Sequence, residues 1–306
     1  MALPTVTSGT FAGKDAGFFI SAALKEANSL NFLTSMENVK YKAVIQKMES
    51  GSEMADSTCD FTTAGTLVLT EAIITPKNLQ VNLEICSKNL LDSWNALEMR
   101  AGAGAPAPAS FDDYLVSHLA GRISQGVENA IWAGNDATGG SFTGFTTATV
   151  GRLVTDATVV DVANAGGAGT AYSAANIIGN LQAATAAIPS NVYTKEDLYI
   201  FMSPKSYRLY ISAISALGYV NAYSMNGDYD AVFEGIKIAV CNGCEDDKMV
   251  VAEKSNLFFG TDLISDSTNI TLLDMAPLNG SINTRLIARF TGGVQVGIGA
   301  DVVFVS

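Results

Sequence analysis

Histidine occurs once in this chain, at His118, and cysteine four times, at Cys59, Cys86, Cys241 and Cys244. A serine or cysteine triad needs an imidazole base oriented by a third group. His118 lies near the apolar stripe of a helical segment, with no partner that spacing identifies, and is read as a packed helix residue. A structural zinc needs four ligands. Cys241 and Cys244, in VCNGCED, have the spacing of half a zinc knuckle, yet the other two cysteines and His118 form no second tight pair. The better reading there is a tight turn between two strands with Asn242-Gly243 at its tip. The sequence points to no catalytic residue, no metal ligand and no cofactor.

Basic charge is scarce as well, with Lys+Arg 18 against Asp+Glu 30 and a net charge of -12. Such a surface repels nucleic acid and anionic membranes, which argues against a DNA-reading module but suits the wall of a container for DNA. No apolar run reaches the roughly 18 residues that a membrane span needs. The opening MALPTVTSGTFAGKDAG lacks a basic region followed by an apolar one, so folding in the cytoplasm with reduced thiols is expected. What the chain does have is apolar bulk: 48% hydrophobic residues over 306 positions, with 16% charged and Gly 28. A chain of this length can bury about three quarters of its unfolded surface, so a sizeable core and many turns are expected.

Periodicity supplies the elements. Phe19, Ala23, Ala27 and Leu30 recur at three and four residues and predict a short amphipathic helix between Lys14 and Phe32. From Tyr41 to Ile85 two extended arms flank the polar middle ESGSEMADSTCDFTTAGT, and the second closes with the alternating LQVNLEI, so the stretch reads as a long hairpin. AGAGAPAPA, residues 101–109, is a connector. Behind it Ser110 is a natural N-cap, and Phe111, Leu115, Leu119, Ile123, Val127 and Ile131 repeat every four residues to give a long helix. A helix from Ser173 carries Ile177, Leu181, Ala184 and Ile188 up to Pro189, then DLYIFM forms a buried strand, and Ser203-Pro204 opens a helix that Gly218 ends. VFEGIKIAV, KMVVAE, NLFFG, ITLLDM, TRLIARF and VQVGIGADVVFVS are strands, and the class is α+β.

Three polar stretches invite a chemical reading. GNDATGGS, Gly134 to Ser141, is one residue short of a phosphate loop, with Gly140 where the lysine belongs. A phosphate loop follows a strand and opens a helix, whereas here a long helix precedes it, so a glycine-bearing helix exit is expected. Asp228, Asp230 and Glu234 lack the ligand rhythm of a calcium loop, and Glu245, Asp246 and Asp247 read as a charged loop tip.

Laid end to end, these elements resemble the major capsid protein of tailed double-stranded DNA phages, the fold named after phage HK97. The likeness rests on ENAIWAGND with FTGF (Glu128 to Phe145), on IFMSPKSYRLY (Ile200 to Tyr210), on FEGIKIAVCNG with KMVVAEKSNLFFGTD (Phe233 to Asp262) and on the ending RFTGGVQVGIGADVVFVS. The resemblance implies an N-arm at 1–35, an E-loop with its flanking peripheral-domain strands at 36–98, and a peripheral domain with a spine helix at 99–169. It further implies an axial domain at 170–262 and C-terminal strands at 263–306 that return to the peripheral and axial domains.

By the same resemblance the chain is no enzyme. It would self-assemble as a homo-oligomer of pentamers and hexamers into an icosahedral shell in the host cytoplasm, enclosing DNA without sequence-specific binding and without a membrane. A portal, decoration proteins and a separate scaffolding protein are the implied partners, since the chain has no room for a scaffolding segment before Met36. Lys42 and Lys47 lie in the hairpin region, but no local motif supports a covalent crosslink. The alternatives are an encapsulin-like nanocompartment shell, a soluble nucleotide-binding enzyme at GNDATGGS, and a β-rich surface-layer protein, which the missing signal segment disfavours.

Overall fold

The computed structural model describes residues 28–50, 67–86, 109–167, 169–217, 232–262 and 270–306, together with Met54, Asp56, Ser57 and Cys59. The amphipathic helix expected from Lys14 falls mostly outside these residues; its described end, Ser29–Phe32, is a single 3-10 turn. The connector at 101–109 also lies outside them, save for Ala109, which already belongs to the long helix α1 (Ala109–Ala133), so the helix begins one residue ahead of the expected cap at Ser110. Along its described face Leu119, Ile123, Val127 and Ile131 are all buried, as the four-residue repeat requires.

Helix α1 packs on a five-stranded sheet whose axis is β12 (Asn283–Val296). β4 (Lys77–Cys86) runs antiparallel to β12 along all 10 of its residues, and β11 (Ile270–Asp274) flanks the same stretch on the other edge. β10 (Leu257–Gly260) pairs with the far end of β12, and β1 (Thr34–Met36) adds in parallel to β10. Alternation sets the faces: Leu286 and Ala288 are buried while Arg285 and Arg289 are exposed. TRLIARF and the following VQV were expected as separate strands, and here the structure differs, because β12 continues through Gly292 and Gly293. A side chain at Gly292 would strike the Phe142 ring at 2.8 Å, and one at Gly293 would meet Pro76 at 3.0 Å. The glycines let the strand slip between two neighbours; they do not break it.

A six-stranded sheet comes next, in the order β5 (Val160–Val162), β13 (Val303–Val305), β9 (Met249–Glu253), β6 (Leu198–Met202), β8 (Ile236–Val240) and β7 (Val232–Phe233). Both its faces are covered, which explains why LYIFM and MVVA are continuous apolar runs. Phe201, Val250, Ala252 and Phe304 face the core built on α1. Their neighbours Ile200, Met202, Met249, Val251 and Val303 face a second core under α3 (Ile177–Ala186) and α4 (Pro204–Ala216). The Ser203 hydroxyl accepts from the Ser206 amide at 3.2 Å, capping α4 as its sequence predicts. α3 starts four residues later than expected, because the Asn176 side chain accepts from the Ser173 amide and holds residues 173–176 in a turn. The short helices α2 (Arg152–Thr155) and α5 (Ala276–Asn279) serve as corners.

The expected hairpin is present but shorter than 41–85. β2 (Ala43–Ser50) pairs antiparallel with β3 (Leu67–Ile74) as a separate two-stranded ribbon. After Thr75-Pro76 the chain enters β4, so LQVNLEI belongs to the five-stranded sheet and not to the ribbon. Proline lacks the amide that would continue the β2–β3 ladder.

Candidate functional site

GNDATGGS lies at the carbonyl end of α1. The amides of Gly144, Phe145 and Thr146 donate to the carbonyls of Gly134, Ile131 and Trp132 at 2.8, 2.9 and 2.8 Å, so the returning chain closes the helix. Asn135 caps a 3-10 turn at Asp136–Thr138, and Gly139 and Gly140 follow at φ 75° and 69°. Asp136 pairs with Lys77 at the start of β4. A phosphate here would face the negative end of the helix dipole, the reverse of a phosphate loop. The expected helix exit is what the structure has.

Directly behind it lies a buried polar node that the sequence did not single out. Glu128 on α1 is 0% exposed. One carboxylate oxygen, Oε2, accepts the Ser29 amide at 3.1 Å; the other, Oε1, accepts the Ser29 hydroxyl at 2.5 Å and the Gly243 amide at 3.0 Å. The Trp132 indole donates to the Ser29 hydroxyl at 2.7 Å. Asn28 extends the node, donating to the Val240 carbonyl at 2.6 Å and accepting from the Asn242 amide at 3.2 Å. A buried carboxylate is tolerable only with such donors. The available signal was Glu128 set one position from Val127 on the apolar stripe, with Trp132 four residues on.

The Asn242-Gly243 turn needs correction. β8 and β9, which it joins, are not neighbours, because β6 lies between them. The turn is pressed against α1, where a Cβ at Gly243 would come within 2.1 Å of the Glu128 carbonyl oxygen. Cys241 and Cys244 are buried thiols, the first pushed up to about 12 and the second well above its ordinary value, both by desolvation. Among the described residues no group of three or more His, Cys, Asp or Glu side chains is placed to hold a metal, and no helix is long and apolar enough to cross a membrane. His118 is half-buried on α1.

Glu245, Asp246 and Asp247 lie in the loop between β8 and β9 as expected; Asp246 is exposed, whereas Glu245 and Asp247 are half-buried and bonded. Glu245 accepts from Thr146 at 2.9 Å and from Lys248 at 2.5 Å, and Asp247 accepts the Tyr172 amide at 2.9 Å. The loop thereby walls an open cavity of about 700 Å³ bordered by Thr170, Cys244 and Lys248. Asp228 and Asp230 lie outside the described residues, and Glu234 is an exposed turn residue at φ 48° between β7 and β8.

The remaining unusual surface is the β2–β3 ribbon. Ala72 and Ile74 are buried at its root, where Val44 is open, and farther out Met48 is 66% exposed, Leu67 60% and Leu69 69%, with Val68 also open. The ribbon carries apolar side chains and has no core of its own. That is the composition of a surface awaiting a cover.

No family model and no curated protein matches the sequence. Solved structures do. The chain aligns with the capsid of an empty GTA particle, computed with C5 symmetry, at 15% identity and a TM-score of 0.60, over 94% of this chain and 91% of that one. It aligns with the capsid of Myoviridae phage XM1 at 12% identity and TM-score 0.59, over 95% and 94%. With a structure from Gordonia phage Cozz the values are 13% and 0.61, over 98% and 91%. Two cores sharing one sheet, a long helix and an outlying ribbon thus form the α+β, HK97-like fold that these structures share.

Proposed function

We propose that this chain is a major capsid protein, assembling into the icosahedral shell that encloses a phage double-stranded DNA genome. The observation that carries the reading is the β2–β3 ribbon, anchored by Ala72 and Ile74 but leaving Val44, Met48, Leu67, Val68 and Leu69 open, on a fold shared with capsids. A neighbouring subunit supplies the cover. Repetition of this contact around pentamers and hexamers closes the shell, with total burial per subunit above the roughly 2,000 Å² of obligate interfaces. In this reading residues 1–35 are the N-arm, 36–98 the E-loop and its flanking strands, and 99–169 the peripheral domain. Residues 170–262 form the axial domain, and 263–306 return to both domains.

The role is structural and not catalytic, the place is the virion after assembly in the host cytoplasm, and the partners are a separate scaffolding protein, a portal and decoration proteins. The net charge of -12 lets the wall face DNA without holding it by sequence.

Negative-stain electron microscopy of the protein expressed alone and with its neighbouring genes tests this. Shells, tubes or rings of five and six are the expected result, and packaged DNA as opposed to protein cargo separates a virion from a nanocompartment. Replacing Met48, Leu67 and Leu69, the open apolar residues of the ribbon, together by Ser is expected to leave a folded subunit that does not assemble. Normal shells from that triple substitution would remove the ribbon from the interface.

A further inference from the structure

The Glu128 node touches two segments that lie far apart in the sequence. One is the strap formed by residues 28–39, where residues 1–27 join the described fold. The strap runs from Asn28 and Ser29, past Phe32 and the buried Leu33, into β1 and on to Val39, whose amide donates to the Thr261 carbonyl at 3.0 Å. The other is the loop from Cys241 to Lys248, which leaves β8, bends at Gly243 and walls the 700 Å³ cavity before β9 begins. Both are held at the same carboxylate: Ser29 by its amide and hydroxyl, the loop by the Gly243 amide. Asn28 repeats the arrangement one residue earlier, bonded on one side to Val240 and on the other to the Asn242 amide.

We propose that Glu128 is a latch coupling release of residues 28–33, the first part of the strap, to opening of the 241–248 loop. Three donors share two oxygens in a site with no exposure, so removing one leaves the carboxylate short of partners while still buried. The carboxylate answers that shortfall by shifting toward solvent or another donor, and the Gly243 amide loses its acceptor. The reverse follows by reciprocity: disturbing the loop at Gly243 disturbs the site that holds Ser29. The cavity beside Asp246 and Asp247 is therefore tied, through Glu128 and alongside the Asn28 bond to Asn242, to the segment that leads to the N-terminal residues. Glu128 acts here as a positioning residue, and what it positions is backbone.

The two amides it binds report on it directly, through hydrogen exchange of the purified full chain resolved to single residues. In Ser29→Ala, which deletes the hydroxyl and leaves Glu128 and Gly243 in place, exchange at the Ser29 and Gly243 amides is expected to accelerate together by about tenfold, while β6 and β9 keep the wild-type rate. Thr34→Val removes a different strap contact, the 3.0 Å bond to the Lys254 carbonyl, and should leave Gly243 unchanged. Gly243→Ala crowds Glu128 from the loop side and should accelerate Ser29. Acceleration of Ser29 with Gly243 unaltered, no change at either amide, or equal acceleration throughout β6 and β9 overturns the latch, as does an unaltered Ser29 in Gly243→Ala.

Discussion

At the scale of single residues, charge in this molecule is arranged in small local sets. Asp197, ahead of β6, accepts the Ser255 hydroxyl at 2.6 Å, a bond that holds its carboxyl below the usual value. Lys195, two residues earlier, bonds to Glu253 at 2.6 Å and is raised by it. The signs are opposite. A depressed carboxyl stabilises the fold above its unfolded value of 3.8, and that contribution disappears as pH falls through the folded value; the raised amine stabilises below 10.5 and loses its contribution as pH climbs past that. The stability gap between wild type and Asp197→Asn, followed by urea unfolding, should therefore be constant through neutral pH and close below about pH 3.8. A gap that widens on acidification would contradict the assignment. None of these pairings was readable from the sequence, since Asp197 and Ser255 are joined only by the pairing of β6 with β9.

Among the elements, those with a strong internal rhythm were legible and those decided by a neighbour were not. The α1 stripe at Leu119, Ile123, Val127 and Ile131 needed nothing but its own period, and the Ser203-Pro204 start of α4 is local chemistry. By contrast, the end of the ribbon at Thr75-Pro76 depends on β12 competing for LQVNLEI, and the continuity of β12 depends on what lies beside its two glycines. That dependence can be measured. Gly292→Ala should cost about 1–3 kcal/mol by forcing a methyl into the Phe142 ring, itself wedged against Phe259 at 6.2 Å. In Phe142→Leu the same substitution should cost about 1 kcal/mol less, giving a clear coupling in a double-mutant cycle. Strictly additive values would mean that the glycine is needed for its backbone and not for the space.

For the molecule as a whole, the shared six-stranded sheet decides cooperativity. Ile200 and Phe201 are adjacent, both 0% exposed, yet they serve opposite cores. Truncating either to alanine should cost about 2–5 kcal/mol, and because both cores rest on the same strand, either change should move one common unfolding transition of the unassembled chain. A second transition appearing in Ile200→Ala alone would show that the α3–α4 side melts by itself. The α+β class and the order of elements could be read from the sequence because apolar periods survive divergence; the Glu128 node could not, because its partners lie about 100 positions away on either side.

The two-residue joint at Thr75-Pro76 also sets how the ribbon behaves under tension. A pull on β3 passes through that joint straight along β4, whose 10 residues lie antiparallel to β12, so the ladder is loaded in shear and its bonds must fail together. A pull on β2 arrives instead at the strap and at β1, a strand of 3 residues on the sheet edge. The ribbon is therefore a tether with one strong end and one weak end, and overload should strip it from the strap side first, leaving β4 seated.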